Sequence, residues 1–304
     1  MNEIPFFSVV IPTYNRAAFL EKTIQSVLDQ REQNFEVIVV DDGSTDNTEE
    51  VVKKIASNKI RYYKIPNSER GAARNFGASV SKGSYVNFLD SDDVLYPNHL
   101  TEAQYVVEKN HNPEFFHLGY DIKNDQEKLL TKVNRFRGSI RTRLIKEGNL
   151  LSCNGVFVRT DIIKENPFNE DRRLSGSEDY ELWLRLSSKY NLIYSNEVTS
   201  CIINHVDRSV LQMNKEKLIS RYHILMDCAM KNDNFMEEFG RYKNIFISNG
   251  LSYISLHLAL TKNNKVLSLK YLILALMKFP GFIFKKRFYA ILKHLLAGLN
   301  HVRN

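Results

Sequence analysis

Short apolar segments alternate with segments of helical spacing over the first third of the chain, and this alternation restricts the possible folds more than any other feature. Strands that are apolar along their whole length indicate a parallel sheet covered by helices on both faces. The sequence therefore predicts an α/β fold. The predicted strands are Phe6 to Ile11, Phe35 to Val40, Ile60 to Ile65 and Tyr85 to Leu89, and the predicted helices are Ala18 to Gln30, Asp46 to Ala56, Ala72 to Val80 and Pro97 to Asn110.

Three of these strands end in polar residues of a specific kind. They are followed by Pro12-Thr13-Tyr14-Asn15, by Asp41-Asp42-Gly43-Ser44 and by Asp90-Ser91-Asp92-Asp93. A parallel sheet brings such ends together at one edge, where ligands bind. That edge would hold an aromatic ring for a base, acids for its N–H groups and acids for a divalent cation on phosphates, which describes a nucleoside-diphosphate site. The chain has no Gly-x-Gly-x-x-Gly and no phosphate-loop Gly-Lys-Ser/Thr, so dinucleotide and P-loop sites are poor alternatives.

The acid cluster of Asp90, Asp92 and Asp93 has two interpretations when it is taken alone. Clustered carboxylates repel one another and need a compensating cation. Asp and Ser are also ordinary turn formers, so a strand followed by a polar turn would look similar. The polar ends of the other strands favour the cation.

The rest of the chain is less regular. The charged stretch from Asp121 to Gly148 predicts a long loop with one helix, and everything from Lys215 onward predicts helix. The length of 304 residues with 43% hydrophobic residues suits one large or two smaller globular units. We predict a catalytic domain over residues 1–210 and a basic helical region over residues 211–304.

The three cysteines are widely spaced in no metal-ligand pattern, which fits a reducing compartment. The start of the chain predicts no signal peptide.

The charge is distributed unevenly. The formal net charge is +7, and after Glu238 the chain has eleven Lys and Arg residues but no Asp or Glu. No apolar run there approaches the ~20 residues that span a bilayer. Basic amphipathic helices with aromatic residues suit the interface of an anionic membrane. The alternatives are a helical bundle with a solvated basic face, and nucleic-acid binding, for which we find no recognition motif and which we therefore do not predict.

Four segments resemble the motifs of the family 2 glycosyltransferases. They are Val9 to Arg16, Val39 to Asp46, Gly71 to Asp93 and Ser177 to Trp183, in the order that the family shows. The resemblance covers about the first two-thirds of the chain. It implies the GT-A fold, a Rossmann-like, mostly parallel sheet with helices on both faces, followed here by the helical region.

The resemblance also implies roles for residues of a UDP-sugar site. Tyr14 would stack on uracil beside Pro12, and Asp42 would accept a hydrogen bond from the N3–H of the base. Arg70 and Arg74 would lie against the base or the phosphates. The plainer alternatives are a core aromatic for Tyr14, a turn for Asp42 and a surface cation for Arg70.

A metal site is implied by the same comparison. Asp92 would bind Mn²⁺ or Mg²⁺ directly, with Asp90 nearer the ribose or a metal-bound water. These hard ions suit carboxylate and diphosphate oxygens and would neutralise the charge on the departing nucleoside diphosphate. Many relatives place a histidine that faces the metal or the diphosphate near the position of His205, although a lone histidine is usually structural.

The catalytic base is expected in the acidic motif at Glu178 and Asp179. Asp179 would deprotonate the acceptor hydroxyl, and Glu178 would orient the acceptor or serve as the second candidate. An acid pair at a helix start has another explanation, because it interacts favourably with the helix dipole. Trp183 is predicted to be a core residue rather than a platform for the acceptor sugar.

Together these features predict an inverting, metal-dependent hexosyl- or N-acetylhexosaminyltransferase. It would move a sugar from a UDP-sugar to a hydroxyl of a glycan acceptor, lipid-linked, in cell-surface polysaccharide biosynthesis. The expected location is the cytoplasmic face of the plasma membrane. An inactive nucleotide-sugar-binding scaffold of the same fold is the alternative, and a nucleotidyltransferase is a weaker one.

Overall fold

The computed structural model describes residues 7–133, 138–205, 214–261 and 264–296. The chain divides into two compact units. The first comprises residues 1–140 and 151–211, and the second comprises residues 141–150 and 212–304. The short segment 141–150 thus leaves the first unit and returns to it.

The first unit is built on one mixed sheet. Its strands are β1 (Phe7–Thr13), β2 (Phe35–Asp41), β3 (Ile60–Lys64), β4 (Tyr85–Phe88), β5 (Val94–Leu95), β6 (Phe115–Asn124), β7 (Leu129–Val133), β8 (Val156–Arg159) and β9 (Leu192–Asn204). The strand order is β3-β2-β1-β4-β8-β6-β9-β5, with β7 paired to β6. Strands β3, β2, β1 and β4 are parallel, β8 is antiparallel to both of its neighbours, and β9 is parallel to β6. The predicted α/β class with a mostly parallel sheet is confirmed.

Helices cover both faces of this sheet. Those of the first unit are α1 (Ala17–Leu28), α2 (Thr48–Lys54), α3 (Glu69–Val80), α4 (His99–Lys109), α6 (Thr160–Glu165) and α7 (Glu178–Lys189). Alternate residues of β1 such as Val9 and Ile11 share a core cluster with Leu20 and Ile24 of α1. On the opposite face Val10 meets α3, where a Cβ on Gly77 would lie 2.3 Å from Val10 Cγ1. Only glycine allows α3 to approach the sheet this closely.

The charged stretch after Asp121 differs from the prediction. It forms the end of β6 and the hairpin to β7 rather than a loop, and only then the helix α5 (Ile140–Glu147). Strand β6 pairs with β9 over its whole length as well as with β7. Pairing on both sides overrides the polar composition, because cross-strand hydrogen bonds and contacts decide strand formation more than residue propensity does.

The second unit is helical, as predicted for the end of the chain. Its helices are α5, α8 (Lys215–Lys231), α9 (Asp233–Phe239), α10 (Lys243–Ala259), α11 (Lys265–Lys278) and α12 (Lys286–Leu296). Small residues bring α10 close to α11: Ser248 Oγ donates to the carbonyl of Ala275 and Ser255 Oγ to that of Ser268, both at 2.8 Å. In the described ranges, no helix combines the length and the apolar character that crossing a membrane requires.

Candidate functional site

A cavity of about 580 Å³ opens at the carboxyl ends of β1, β2 and β4. This volume lies in the range of small-molecule sites. Its walls come from the end of β1, the turn after β2, the start of α3 and the loop after β4. Six residues that the sequence predicts for the donor and the metal line it: Pro12, Tyr14, Asp42, Arg70, Asp90 and Asp92. The strand ends therefore meet at one edge as expected.

Asn15 fixes the ends of β1 and β2 against each other. Its backbone has a φ of 50°, in the left-handed region that asparagine tolerates. Its N–H donates to Ser44 Oγ at 2.9 Å, and its side-chain oxygen accepts from the N–H of Thr45 at 2.8 Å. No pattern in the sequence predicts this role of Asn15, although the residue lies inside the first motif.

Asp42 lines the cavity and caps the start of α3. Its carboxylate accepts the N–H of Ser68 at 2.7 Å and that of Glu69 at 2.9 Å. Burial raises the pKa of Asp42, and these two hydrogen bonds oppose that shift. Each carboxylate oxygen has a second lone pair, so recognition of a base N–H stays compatible with the cap and stays a prediction.

Tyr14 lies on the cavity wall with 47% of its surface exposed. The alternative that it is a core aromatic is therefore wrong. A ring held at a cavity wall with an open face is suited to stacking on a base. Trp183, in contrast, is fully buried, as predicted for a core residue.

The loop after β4 is held from two sides. Thr23 of α1 donates its hydroxyl to the carbonyls of Ser91 at 3.0 Å and Asp93 at 2.8 Å. Asp93 is buried and accepts the N–H of Ile203 in β9 at 2.9 Å. The third acid of the cluster thus has a structural partner, which leaves Asp90 and Asp92 on the cavity. Thr23 lies in none of the four motifs, so the sequence does not predict this contact.

Asp92 lies next to His205. The distance from Asp92 Oδ2 to His205 Nε2 is 3.0 Å, and the ring of Phe19 stacks on the imidazole at 4.7 Å. One oxygen and one nitrogen at this separation are suited to sharing a divalent cation. No group of three or more His, Cys, Asp or Glu side chains of the kind that encloses a metal exists among the described residues. Asp92 still fits Mg²⁺ or Mn²⁺, since Mg²⁺ usually takes one or two carboxylates and completes its shell with water and phosphate, whereas the imidazole nitrogen of His205 suits Mn²⁺ better than the harder Mg²⁺.

Arg74 connects this edge to the acidic motif. Its side chain is 2% exposed, and its two terminal nitrogens lie 2.7 Å from Asp90 Oδ1 and 2.7 Å from Glu178 Oε1. Arg70 lines the cavity and approaches Glu178 Oε1 at 3.7 Å. The terminal nitrogens of Arg74 already bind two carboxylates. These contacts give no support to the predicted contact of Arg74 with base or phosphate, which stays a prediction.

Glu178 and Asp179 open helix α7 in different electrostatic states. Burial opposes ionisation of Glu178, yet Arg70 and Arg74 hold its pKa below the usual value. Burial and the neighbouring charge of Glu178 raise the pKa of Asp179 to about 6. Neither residue lines the cavity itself, and the structure links them to it through the arginines. A half-buried carboxyl group with a pKa near neutrality is suited to accept a proton.

Asn75 positions the chain that leads to this motif. Its side-chain oxygen accepts the N–H of Phe168 at 2.8 Å, and its nitrogen donates to the Phe168 carbonyl at 3.0 Å. The Phe168 ring lies 5.3 Å from the Arg74 guanidinium. Asn75 lies within the motif from Gly71 to Asp93, but no local pattern predicts a partner 93 residues away.

Comparison with known proteins agrees with the geometry. The family described as Glycosyl transferase family 2 matches residues 8–165. An uncharacterised glycosyltransferase of Rickettsia bellii is 35% identical over 213 residues, which is 68% of this chain and 30% of that protein. The hyaluronan synthase of Pasteurella multocida is 28% identical over 232 residues, covering 70% of this chain and 22% of that protein. The chain therefore spans about a third or less of the length of these relatives.

Two solved structures share the fold. Staphylococcus aureus TarS 1-349 in complex with UDP-GlcNAc has a TM-score of 0.67 at 19% identity, covering 96% of this chain and 89% of that one. The mannosyltransferase PcManGT of Pyrobaculum calidifontis in complex with GDP-Man and Mn²⁺ has a TM-score of 0.61 at 17% identity, covering 98% and 87%. These likenesses confirm the predicted GT-A fold.

Proposed function

The chain belongs to glycosyl transferase family 2, and we propose that it transfers a sugar from a UDP-sugar to a hydroxyl group of a glycan acceptor with inversion at the anomeric carbon. The observation that carries the proposal is the Arg74 bridge between Asp90 and Glu178. It joins the edge where a nucleoside diphosphate would bind to the helix that presents Asp179. The proposed donor site and the proposed base are thereby connected through one buried side chain.

Donor binding is assigned to the cavity. Tyr14 stacks on uracil against the wall that Pro12 forms, and Asp42 accepts the N3–H of the base. Arg70, one of two basic residues of the lining together with Arg16, contacts the base or the phosphates. The choice of UDP follows the motif resemblance and the UDP-GlcNAc complex of TarS, and the GDP-Man complex of PcManGT makes GDP-sugars the necessary comparison.

Asp92 and His205 are the residues that would hold Mn²⁺ or Mg²⁺, with Asp90 beside them. When bound, the cation neutralises the charge that develops on the departing nucleoside diphosphate. Arg74 fixes the position of Asp90 through Asp90 Oδ1. His205 in turn fixes Asp92, because its Nε2 lies 3.0 Å from Asp92 Oδ2.

Asp179 takes the proton of the acceptor hydroxyl as that oxygen attacks the anomeric carbon. The raised pKa of about 6 supports this role, since the group is ionised at neutral pH and still basic enough to receive a proton. Glu178 is less suited, because Arg70 and Arg74 stabilise its charged form. It positions Arg74 and the start of α7 instead.

The acceptor is proposed to be a growing glycan, lipid-linked, in cell-surface polysaccharide biosynthesis. The match to a hyaluronan synthase supports a polysaccharide product. The basic region after Glu238 supports a location at the cytoplasmic face of the plasma membrane, where it would contact anionic lipids.

The test is release of the nucleoside diphosphate from a panel of UDP- and GDP-sugars with and without Mn²⁺. We expect UDP release from at least one UDP-sugar that depends on the metal and is lost in Asp179→Asn. Metal-dependent UDP binding without turnover on any donor would indicate a binding protein. Pyrophosphate release from a nucleoside triphosphate would indicate a nucleotidyltransferase.

A further inference from the structure

One face of helix α11 exposes apolar side chains although the opposite face is already buried. The buried face consists of Ser268, Tyr271, Leu272 and Ala275. Four apolar residues spaced three or four positions apart occupy the outer face, and we call them the α11 ridge. They are Val266 (86% exposed), Leu269 (47%), Ile273 (50%) and Met277 (73%).

This pattern departs from that of an ordinary surface helix. Such helices carry an apolar stripe toward the core and polar residues toward water, whereas α11 is apolar on both sides. Exposed apolar side chains recur in the segment that connects α11 to α12, where Phe284 is 80% exposed, and on α12, where Tyr289 is 60% exposed. Concentrated apolar exposure of this kind marks an interaction surface.

Basic side chains accompany the ridge. Lys270 and Lys278 are exposed on the same helix. Neither forms a salt bridge within the part of the chain that the structure describes. The sequence after Glu238 offers no acidic residue that could neutralise them.

We propose that the α11 ridge inserts into the interface of an anionic lipid bilayer, with Lys270 and Lys278 at the headgroup phosphates. An apolar face flanked by lysines is the pattern of interfacial helices, since lysine stems extend along apolar surface while their charges reach the headgroups. A second copy of the chain suits the surface poorly, because two such faces would bring like charges together. The proposal rests on the proposed function only in its purpose, which is to meet a lipid-linked acceptor.

The first experiment is flotation of the full chain with vesicles of phosphatidylcholine alone and of phosphatidylcholine with phosphatidylglycerol. We expect binding to the anionic vesicles only. Ile273→Gln with Met277→Gln keeps the net charge and should weaken binding about tenfold or more. Lys270→Gln with Lys278→Gln should weaken it about fivefold per charge at low salt and less at high salt.

A matched control is available in the first unit. Leu129 and Leu130 of β7 are exposed to a similar degree, 44% and 49%, without forming part of the ridge. Leu129→Gln with Leu130→Gln should bind vesicles like the wild type. Equal binding by the ridge variant and this control would overturn the proposal, as would a wild type that binds neither vesicle. A wild type that binds no lipid and forms a dimer, together with a ridge variant that is monomeric, would assign the surface to a second copy instead.

The second experiment tests insertion and keeps an apolar side chain on the ridge. The chain has one tryptophan, Trp183, which is fully buried. In Met277→Trp the added indole should be quenched by brominated lipid in anionic vesicles. Binding without quenching would overturn insertion. Donor hydrolysis in vesicle-free buffer should be equal in the wild type and in all these variants. A wild type that hydrolyses no donor would contradict the proposed function, but the vesicle experiments would still test insertion.

Discussion

Asp179 follows Glu178 directly in the chain, and the two carboxyl groups have pKa values shifted in opposite directions. Burial acts on both, but Arg70 and Arg74 face Glu178 and lower its pKa, whereas the charge of Glu178 adds to burial and raises the pKa of Asp179 to about 6. One side chain is thereby fixed as an ion-pair partner. The other stays able to exchange a proton near neutral pH.

Asp179→Asn should reduce sugar transfer by about 10²–10⁴-fold, because asparagine keeps the size and hydrogen bonding but cannot take a proton. UDP affinity should stay near the wild-type value. Steady-state turnover and UDP titration measure the two effects. Asp161→Asn, at an exposed aspartate, is the control and should transfer normally. A fall of less than about tenfold in Asp179→Asn would move the base to Glu178 or elsewhere.

The pH dependence of kcat/KM should follow the Asp179 carboxyl group. A general base works only when it is deprotonated, so the rate should rise with pH through about 6 and level off above it. The residual rate of Asp179→Asn should lack this inflection. An unchanged inflection in that variant would assign the titration to another group.

Arg74→Ala should destabilise the fold by about 3–5 kcal/mol, because it leaves the buried Glu178 without its closest cation. Urea unfolding measures this change. Arg159→Ala removes an exposed pair with Asp161 and should cost about 0–1 kcal/mol. Equal losses in the two variants would show that the Arg74 bridge contributes no more to stability than a surface ion pair.

Tyr14→Ala should weaken UDP binding by about 1–3 kcal/mol, the usual contribution of a ring stacked on a base. The comparison is Tyr105→Ala, since Tyr105 is exposed to a similar degree, 52% against 47%, on helix α4. Calorimetry with UDP measures both. Normal UDP affinity in Tyr14→Ala would remove the ring from the base site.

Asp92→Ala should abolish the gain in UDP affinity that Mn²⁺ gives, while UDP binding without metal persists. His205→Ala should reduce the gain only in part, because the charged carboxylate of Asp92, the stronger ligand for a hard cation, remains. Titration of UDP with and without Mn²⁺ measures this effect, and Asp125→Ala, at an exposed aspartate, is the control. A metal-dependent gain that survives in Asp92→Ala would contradict the assignment.

Much of the donor edge could be predicted from the sequence. Continuous apolar strands that end in Pro12 to Asn15, Asp41 to Ser44 and Asp90 to Asp93 can only meet at one edge of a parallel sheet. The period of the apolar residues likewise predicted the helices around that sheet. The stretch after Asp121 was predicted wrongly, because its strand is made by partners in β7 and β9 rather than by its own composition.

The sequence by itself therefore determined the fold class, the family and which residue types face the cavity, since these depend on local pattern and chain order. Only the tertiary structure decided the partner and the charge state of each carboxylate. Asp93 is tied to Ile203, Glu178 to Arg74, and Asp92 lies beside His205, across separations of 110, 104 and 113 residues. Charge state and proton affinity depend on burial and on the nearest opposite charge, and packing between distant segments sets both.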